Sequence, residues 1–230
     1  MRPAPRPAPR HNGPALKDDN KISDFPGRFI GRKKELALLE DLHGSGRFEM
    51  LILHGARWTG KSYLLARFAS MHPASTVFFT AGKGGEARNV QSFCAELSRT
   101  LRFGEHLQAL TAWREVFSCL DEHLPDQRLA IIIDEFTRLM ASDKGWDSKL
   151  QIAIDRILRR RSVFLILSSS DEGAVEDAVF SASSPLYGRM TAQLRLEPFG
   201  YREARGFFPR YGSREALEAY CVMGGTPCCL

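Results

Sequence analysis

The stretch LILHGARWTGKSYLLARF, residues 51–68, decides the fold, because an apolar run passes through a glycine-bounded turn into an amphipathic segment. Its centre, Gly55-Ala56-Arg57-Trp58-Thr59-Gly60-Lys61-Ser62, matches the pattern G-x-x-x-x-G-K-[ST]. A strand, a glycine-rich loop and a helix in this order bind anions, since loop N–H groups and the helix N-terminus face the ligand. The sequence therefore predicts a phosphate loop at residues 55–62. A glycine-rich turn without a ligand is the alternative interpretation.

Two acids after a second apolar run supply the chemistry that a phosphate loop needs. In such a loop Lys61 faces the β- and γ-phosphates and the Ser62 hydroxyl is a ligand of Mg²⁺. The run LAIIIDEF, residues 129–136, ends in Asp134 and Glu135. We expect Asp134 to hold the Mg²⁺ hydration shell and Glu135 to polarise the attacking water as general base. Acids that only cap the next helix are the alternative.

A serine cluster follows a third apolar run. Residues 163–167 read VFLIL and lead into Ser168-Ser169-Ser170. If this strand neighbours the strand of Asp134, a serine hydroxyl lies near the γ-phosphate and could position water. We expect Ser170 to take this sensing role. A serine turn that caps the next helix is the alternative.

Apolar runs alternate with amphipathic stretches along the rest of the chain. The strand candidates are residues 50–54, 76–80, 129–133, 163–167 and 192–196. The helix candidates are residues 61–71, 89–101, 109–123, 147–160, 171–180, 201–208 and 213–223, besides leucines at helical spacing after Gly31. Apolar strands separated by helices indicate an α/β three-layer sandwich around a mostly parallel sheet of about five strands, with C-terminal helices that begin a lid.

Composition and charge exclude several classes of protein. The 230 residues are 43% hydrophobic, and no apolar run approaches the roughly 18 residues of a membrane span. The first residues lack the apolar stretch of a secretory signal, so we expect a cytoplasmic protein without membrane contact. The five cysteines form no C-x-x-C pair and have no nearby histidine, so we predict neither a disulfide framework nor structural zinc.

The net charge of +5 belongs to the N-terminal residues. Residues 1–34 carry nine Lys or Arg against three Asp, whereas the remaining residues carry 23 basic and 24 acidic side chains. Residues 1–22, rich in Arg and Pro, have no periodic apolar face and are predicted to be disordered. This basic tail could touch nucleic acid, although solvated charge is the simpler interpretation.

Six motifs together resemble one family, the archaeal-type ATPases of the AAA+/STAND class of P-loop proteins. They are FIGRKKEL (29–36), GARWTGKS (55–62), IIIDEF (131–136), LILSSS (165–170), SPLYGR (184–189) and GGTP (224–227). The resemblance runs from about residue 25 to the last residue and implies the P-loop NTPase fold. It also implies Mg²⁺-dependent ATP binding and hydrolysis by a molecular switch or motor core.

The resemblance assigns roles to individual residues. The nucleotide-binding set that it implies is Phe29, Ile30, Gly31 and Arg32 near the adenine, residues 55–62, and Tyr63. Ser62 and Asp134 are the implied Mg²⁺ ligands, with Lys61, Glu135 and Ser170 in catalysis. Arg189, the basic residue of SPLYGR, is the implied arginine finger or sensor. Such arginines commonly come from a neighbouring subunit, which implies a homo-oligomer or a partner protein. A surface arginine or a structural ion pair is the alternative interpretation of Arg189.

The resemblance divides the chain into the tail at 1–22, an ATPase core at 23–198 and the start of a helical lid or winged-helix region at 199–230. We expect this last region to be truncated, and a nucleic-acid contact could lie in the missing part. Ser169 stands where the family usually has glycine. Two alternative functions stay open: an ATP-binding regulatory module with little turnover, and a P-loop phosphotransferase. The second needs an acceptor pocket and an arginine-rich lid, for which Arg159–Arg161 is the only dense basic cluster.

Overall fold

A single parallel sheet organises the part of the chain that the computed structural model describes, residues 29–101, 107 and 109–230. Its strands are β1 (Glu49–His54), β2 (Thr76–Thr80), β3 (Leu129–Asp134), β4 (Val163–Ser169) and β5 (Ala192–Arg195). They lie in the order β2-β3-β4-β1-β5, and every neighbouring pair is parallel. The predicted α/β fold with a parallel sheet of five strands is confirmed.

Helices connect the strands and cover the sheet. They are α1 (Lys33–Gly44), α2 (Lys61–Met71), α3 (Glu86–Leu101), α4 (Trp113–His123), α5 (Thr137–Ser142), α6 (Trp146–Arg156), α7 (Glu172–Val175), α8 (Tyr201–Ala204) and α9 (Ser213–Met223). Among the residues described, no helix has both the length and the apolar character needed to cross a membrane. The predicted tail at 1–22 lies outside the described residues.

Four predicted helices are shorter than the sequence suggests. The helix predicted at 109–123 begins at Trp113, and the helix predicted at 201–208 ends at Ala204 and continues as a 3-10 turn at Arg205–Phe207. The helix predicted at 147–160 ends at Arg156 and continues as a 3-10 turn at Leu158–Arg160, which buries Leu158. The helix predicted at 171–180 changes after Val175 into a π turn, in which the N–H of Ser181 bonds to the carbonyl of Glu176. Leu158 in the 3-10 turn and Val179 in the π turn are both buried in the core.

The four strands β1–β4 are apolar along their middle because both faces of the sheet are covered. In β1, Met50 and Ile52 pack into one core cluster, while Leu51 and Leu53 pack into the other. Alternate residues of a strand point to opposite faces, so the middle of a strand buried on both sides is apolar. The buried polar residues of these strands, such as Glu49, Thr76 and Asp134, stand at strand ends. Only β5, at the end of the sheet, alternates half-buried and exposed residues.

Parallel strands bring their carboxyl ends to one side of the sheet, here called the carboxyl edge. The register pairs Asp134 of β3 with Ser168 of β4, and His54 of β1 with both Ser169 of β4 and Arg195 of β5. The phosphate loop begins directly after His54. The motifs that the sequence separates by more than a hundred residues therefore meet along this edge.

The C-terminal segment, residues 199–230, folds back onto the carboxyl edge. The N–H of Phe199 donates to the carbonyl of Gly225 at 2.7 Å, and the Tyr220 hydroxyl donates to the carbonyl of Phe199 at 3.2 Å. A Cβ atom at Gly225 would overlap the Phe199 carbonyl oxygen, so only glycine fits there. This clamp places Pro227 against the phosphate loop, with its Cγ 3.6 Å from where a Cβ of Gly60 would lie.

Candidate nucleotide-binding site

The phosphate loop has a backbone shape that few residue types adopt. Gly55, Trp58 and Gly60 have φ values of 141°, 69° and 92°. A side chain at Gly55 would overlap the carbonyl oxygen of Leu196, which follows β5. Trp58 is the non-glycine residue of the three, and a left-handed conformation costs such a residue about 1–2 kcal/mol. The Trp58 side chain is 70% exposed, so packing does not repay that cost.

Lys61 lies inside the loop, with its ammonium group bound to the backbone. Its Nζ donates to the carbonyl oxygens of Gly55 and Ala56, both at 2.8 Å. Burial lowers the pKa of Lys61, and the carboxylates of Glu135 and Asp134 oppose that effect. Two of the three ammonium N–H groups thus have backbone acceptors without a ligand. The amine can exchange these two carbonyls for phosphate oxygens without leaving the loop.

Ser62 and Asp134 form a contact between α2 and β3. The Ser62 hydroxyl donates to Asp134 Oδ2 at 2.6 Å, and the N–H of Glu135 donates to Asp134 Oδ1 at 3.1 Å. Burial raises the pKa of Asp134, which is 2% exposed, and the hydrogen bond from Ser62 opposes that rise. A hydroxyl and a carboxylate are hard oxygen donors of the kind that Mg²⁺ takes in phosphate sites. The donor set therefore fits the ion.

Glu135 and Ser170, the predicted base and sensor, are in direct contact. The Ser170 hydroxyl donates to Glu135 Oε1 at 2.8 Å. Glu135 has a φ of 56°, a left-handed backbone that turns its side chain away from the direction of Asp134. Ser169, by contrast, is fully buried and bonds to Thr137 and to the N–H of Asp171. Of these two serines, Ser170 reaches the acid and Ser169 supports the turn.

The four residues predicted near the adenine lie between the phosphate loop and the C-terminal segment. Phe29 stacks on Tyr63 with ring centroids 5.5 Å apart. Ile30 lies against Gly206, where a Cβ would come within 2.7 Å of its side chain. At Gly31 a Cβ would come within 2.8 Å of the Phe199 ring. These contacts place the FIGR motif beside the loop.

Arg32 is a buried link between distant segments. Its Nη2 atom donates to the carbonyl of Thr59 at 3.0 Å and to the carbonyl of Glu197 at 2.6 Å. Its guanidinium also lies 4.1 Å from the ring centroid of Phe199 and is 3.1 Å from Glu35. The side chain therefore ties the phosphate loop to the C-terminal segment, a role that its motif alone does not reveal.

Three polar residues at the carboxyl edge escaped the sequence analysis. Arg195 Nε lies 2.9 Å from Glu172 Oε1, and His54 Nδ1 lies 3.5 Å from the same oxygen. Burial lowers the pKa of His54, and the Glu172 carboxylate opposes that effect. Glu172 also acts electrostatically on Lys61. The sequence offered only their position as a signal, because His54 is the last residue of β1 and Arg195 is the last residue of β5.

A family model of ATPase domains found predominantly in Archaea matches residues 29–230. The chain belongs to this family. Its phosphate loop, its acids after β3 and its strand order make it an ATPase domain of the P-loop type. The match begins at Phe29, where the FIGR motif starts, and includes the GGTP turn (Gly224–Pro227).

Relatives of this ATPase domain are mostly longer chains. An uncharacterized protein of Methanocaldococcus jannaschii is 27% identical over 199 residues, which are 86% of this chain and 42% of the relative. A Walker-type ATPase of Pyrococcus abyssi has the same fold, with a TM-score of 0.67 and 20% identity over 90% of this chain and 68% of the other. The Aeropyrum pernix ORC2 protein, solved in ADPNP–ADP complexes, gives a TM-score of 0.59 and 18% identity over 87% and 55%.

Arg189 is the predicted site residue that the ATPase domain does not bring to the carboxyl edge. The N–H of Thr191, two residues on, donates to Met50, at the beginning of β1. The Arg189 guanidinium is paired with Asp155, with Nη2–Oδ2 at 2.6 Å and Nε–Oδ1 at 3.1 Å. These hydrogen bonds lower the pKa of Asp155. The ion pair that was the alternative interpretation is therefore present, at the edge opposite the phosphate loop.

Proposed function

We propose that this ATPase domain binds ATP with Mg²⁺ and hydrolyses it, and that the nucleotide state sets the position of the C-terminal segment. The observation that carries the proposal is the meeting of Lys61, Ser62, Asp134 and Glu135 at one edge of the sheet. Membership of an ATPase family and the nucleotide complexes of the ORC2 protein support it. Each residue has a separate task in the reaction.

Phosphate binding falls to the loop and to Lys61. The left-handed turns at Gly55 and Gly60 leave backbone N–H groups free to face the β-phosphate. Lys61 would release the carbonyls of Gly55 and Ala56 and take phosphate oxygens in their place. Charge-assisted hydrogen bonds to phosphate are stronger than those to neutral carbonyls, so this exchange favours the bound state.

Ser62 and Asp134 would hold Mg²⁺. When bound, the ion neutralises charge on the β- and γ-phosphate oxygens. The Ser62 hydroxyl would turn one lone pair to the ion in place of its hydrogen bond to Asp134. A neighbouring cation favours the charged carboxylate, which offsets the raised pKa that burial gives Asp134.

Glu135 is the residue placed to accept a proton from the attacking water. Ser170 holds one carboxylate oxygen, so the other oxygen stays available to a water molecule. A fixed carboxylate that is near enough to act electrostatically on Lys61 can orient the water and take its proton as the bond to phosphorus forms. Hydrolysis then leaves the proton on Glu135 until solvent removes it.

The C-terminal segment can respond to the nucleotide through Arg32 and Pro227. Arg32 joins the carbonyl of Thr59 in the loop to that of Glu197, and Pro227 rests on Gly60. Any shift of the loop on binding therefore reaches residues 197–227 through two contacts. This coupling is what a molecular switch requires.

A regulatory module that binds ATP with little turnover is the second candidate. The hydrogen bond from Ser170 favours it, because a carboxylate already bonded to a hydroxyl is a weaker base. The phosphotransferase alternative has less support. Arg161 of the basic cluster pairs with Asp126 and precedes β4, so the cluster lies at the edge opposite the phosphate loop.

The metal dependence of binding tests the proposal. Asp134→Asn should lower the affinity for ATP in the presence of Mg²⁺ by about tenfold or more, since one charged metal ligand is lost. Binding without Mg²⁺ should change little. Titration calorimetry with ATP, with and without the ion, measures both values. Asp126→Asn, at the opposite edge, serves as the control. If Mg²⁺ raises the ATP affinity of Asp134→Asn as much as that of the wild type, Asp134 is not a ligand of the metal.

A role of Arg189 in catalysis would require a second copy of the chain, because its own phosphate loop lies at the other edge. We propose that turnover per chain rises with protein concentration and that Arg189→Ala abolishes the rise. Asp155→Asn is the matched control, since it breaks the same ion pair and keeps the guanidinium. A mixture of Arg189→Ala and Lys61→Ala chains should regain activity. Equal effects of Arg189→Ala and Asp155→Asn would assign Arg189 to structure alone.

A further inference from the structure

Two adjacent thiols lie next to the nucleotide-binding site. Cys228 and Cys229, here called the cysteine pair, are both exposed, and their Sγ atoms are 3.6 Å apart. The N–H of Cys229 donates to the carbonyl of Thr226 at 2.9 Å, so the pair closes a tight turn. Cys94 is buried in the core, and burial raises its pKa to about 11. The cysteine pair therefore differs from Cys94 in both access and arrangement.

The turn that carries the cysteine pair also lies beside the phosphate loop. Pro227 directly precedes Cys228, and its Cγ is 3.6 Å from the position that a Cβ of Gly60, the glycine before Lys61, would take. On the other side of Pro227, Gly225 is held by its hydrogen bond from Phe199. A backbone movement that starts at the cysteine pair is therefore resisted at Gly225. It must move Pro227 or the residues that follow the pair.

We propose that the cysteine pair is a modification site that takes a small-molecule disulfide and becomes a Cys228–Cys229 disulfide, which withdraws Pro227 from the phosphate loop. The modification itself does not depend on the proposed function. Its effect on nucleotide affinity rests on that function.

The chemistry is thiol–disulfide exchange in two steps. The thiolate of one cysteine attacks a sulfur of the small disulfide, an S–S bond to the protein forms, and one small thiolate leaves. The second cysteine, after losing its proton, attacks the protein sulfur of this mixed disulfide and releases the other small thiolate. The dithiol is oxidised, the small disulfide is reduced to two thiols, and the two protons go to them. Partial desolvation and the contact with Cys229 raise the pKa of Cys228, so mildly alkaline solution favours the exchange.

Geometry explains why closure should reach the phosphate loop. Neighbouring Cα atoms are about 3.8 Å apart across a trans peptide, whereas a disulfide usually spans roughly 4.4–6.8 Å. The trans peptide fixes the Cα–Cα distance between Cys228 and Cys229, so a closed ring strains that peptide and the turn at residues 226–229 that holds it. Pro227 lies within this turn, with its Cγ 3.6 Å from the position that a Cβ of Gly60 would take. Strained, exposed disulfides are also the ones most easily reduced again, so the modification is reversible.

The experiment treats the whole chain with oxidised glutathione at a pH of about 8.5, the ordinary pKa of a cysteine thiol. Mass spectrometry of the peptide that contains residues 224–230 reports the modification. Titration calorimetry with Mg·ATP reports the affinity before oxidation, after oxidation and after reduction. The test variants are Cys228→Ser and Cys229→Ser. Cys221→Ser removes an exposed thiol of α9 outside the pair and is the control.

We expect the wild type and Cys221→Ser to lose two hydrogen atoms within that peptide and to bind Mg·ATP about tenfold more weakly until reduced. Each single variant of the pair should keep a glutathione adduct, because no second thiol resolves it. A lasting glutathione adduct in the wild type, or an unchanged affinity of the closed form, would overturn the proposal. If the reduced protein fails to bind Mg·ATP, the proposed function fails instead. In that case the amide hydrogen-exchange rate of residues 55–62 tests whether the Cys228–Cys229 disulfide affects the phosphate loop. We expect this rate to rise when the disulfide forms.

Discussion

Replacing Lys61 by alanine should abolish most of the affinity for Mg·ATP and leave the chain folded. The amine is the buried cation of the phosphate loop, and it donates to two carbonyls that water or the loop itself can satisfy after the change. Hydrogen bonds to a charged partner contribute about 1.5–3 kcal/mol each, so the loss of affinity should reach about 100-fold. Titration calorimetry measures the affinity, and circular dichroism reports the fold.

The control for this change is another basic residue of the same loop. Arg57 is exposed and lies between Gly55 and Gly60, so Arg57→Ala removes an equal charge without emptying the loop. Its effect on the affinity should be several-fold smaller. If Lys61→Ala is folded and binds Mg·ATP as tightly as the wild type, the phosphate-loop assignment is wrong. Similar losses in both variants would indicate general charge attraction instead of a specific contact.

Changing Glu135 to glutamine should keep ATP binding and lower turnover by about 10²–10⁴-fold. The amide has nearly the shape of the carboxylate and can still accept the hydrogen bond from Ser170. It cannot take a proton from water, so only the chemical step is affected. Phosphate release under saturating Mg·ATP measures turnover, and calorimetry measures binding.

Ser170→Ala separates the base from the residue that holds it. This variant leaves the Glu135 carboxylate intact but frees it to move, so turnover should fall less than in Glu135→Gln. If Glu135→Gln loses binding as strongly as Asp134→Asn does, Glu135 is a metal ligand or a structural residue. If Ser170→Ala turns over ATP faster than the wild type, the hydrogen bond restrains the base and the low-turnover candidate gains support.

The carboxyl edge was predictable because local sequence determines it. Each central strand is a continuous apolar run, and the polar residue that ends the run stands at the edge of a parallel sheet. Asp134 could therefore be placed near Ser62 from their positions alone, and the structure brings their side chains to 2.6 Å. The bounds of β2 and α2 also agree with the prediction, since strong apolar periodicity sets both.

Long-range partners were not predictable from local patterns. Arg189 stands in a motif, but its partner Asp155 lies 34 residues away, on a helix whose end the sequence placed too late. Arg32 was expected near the adenine. Its contacts with Glu197 and Glu203 depend on how the C-terminal segment returns to the sheet. Spacing along one segment carries no information on such pairs. They follow from the topology, which brings segments that are distant in the sequence together.

The link made by Arg32 has a consequence for synthesis. Its backbone N–H bonds to Glu203, 171 residues further along the chain, and its side chain reaches Glu197, 165 residues away. A ribosome adds about 5–20 residues per second, so roughly ten seconds or more separate Arg32 from its partners. During that interval the nascent chain has its phosphate loop but neither Arg32's anchors nor Pro227. The candidate nucleotide site is therefore complete only when translation has passed the GGTP turn, and under the proposed function a growing chain would hold ATP less firmly than one that includes this turn.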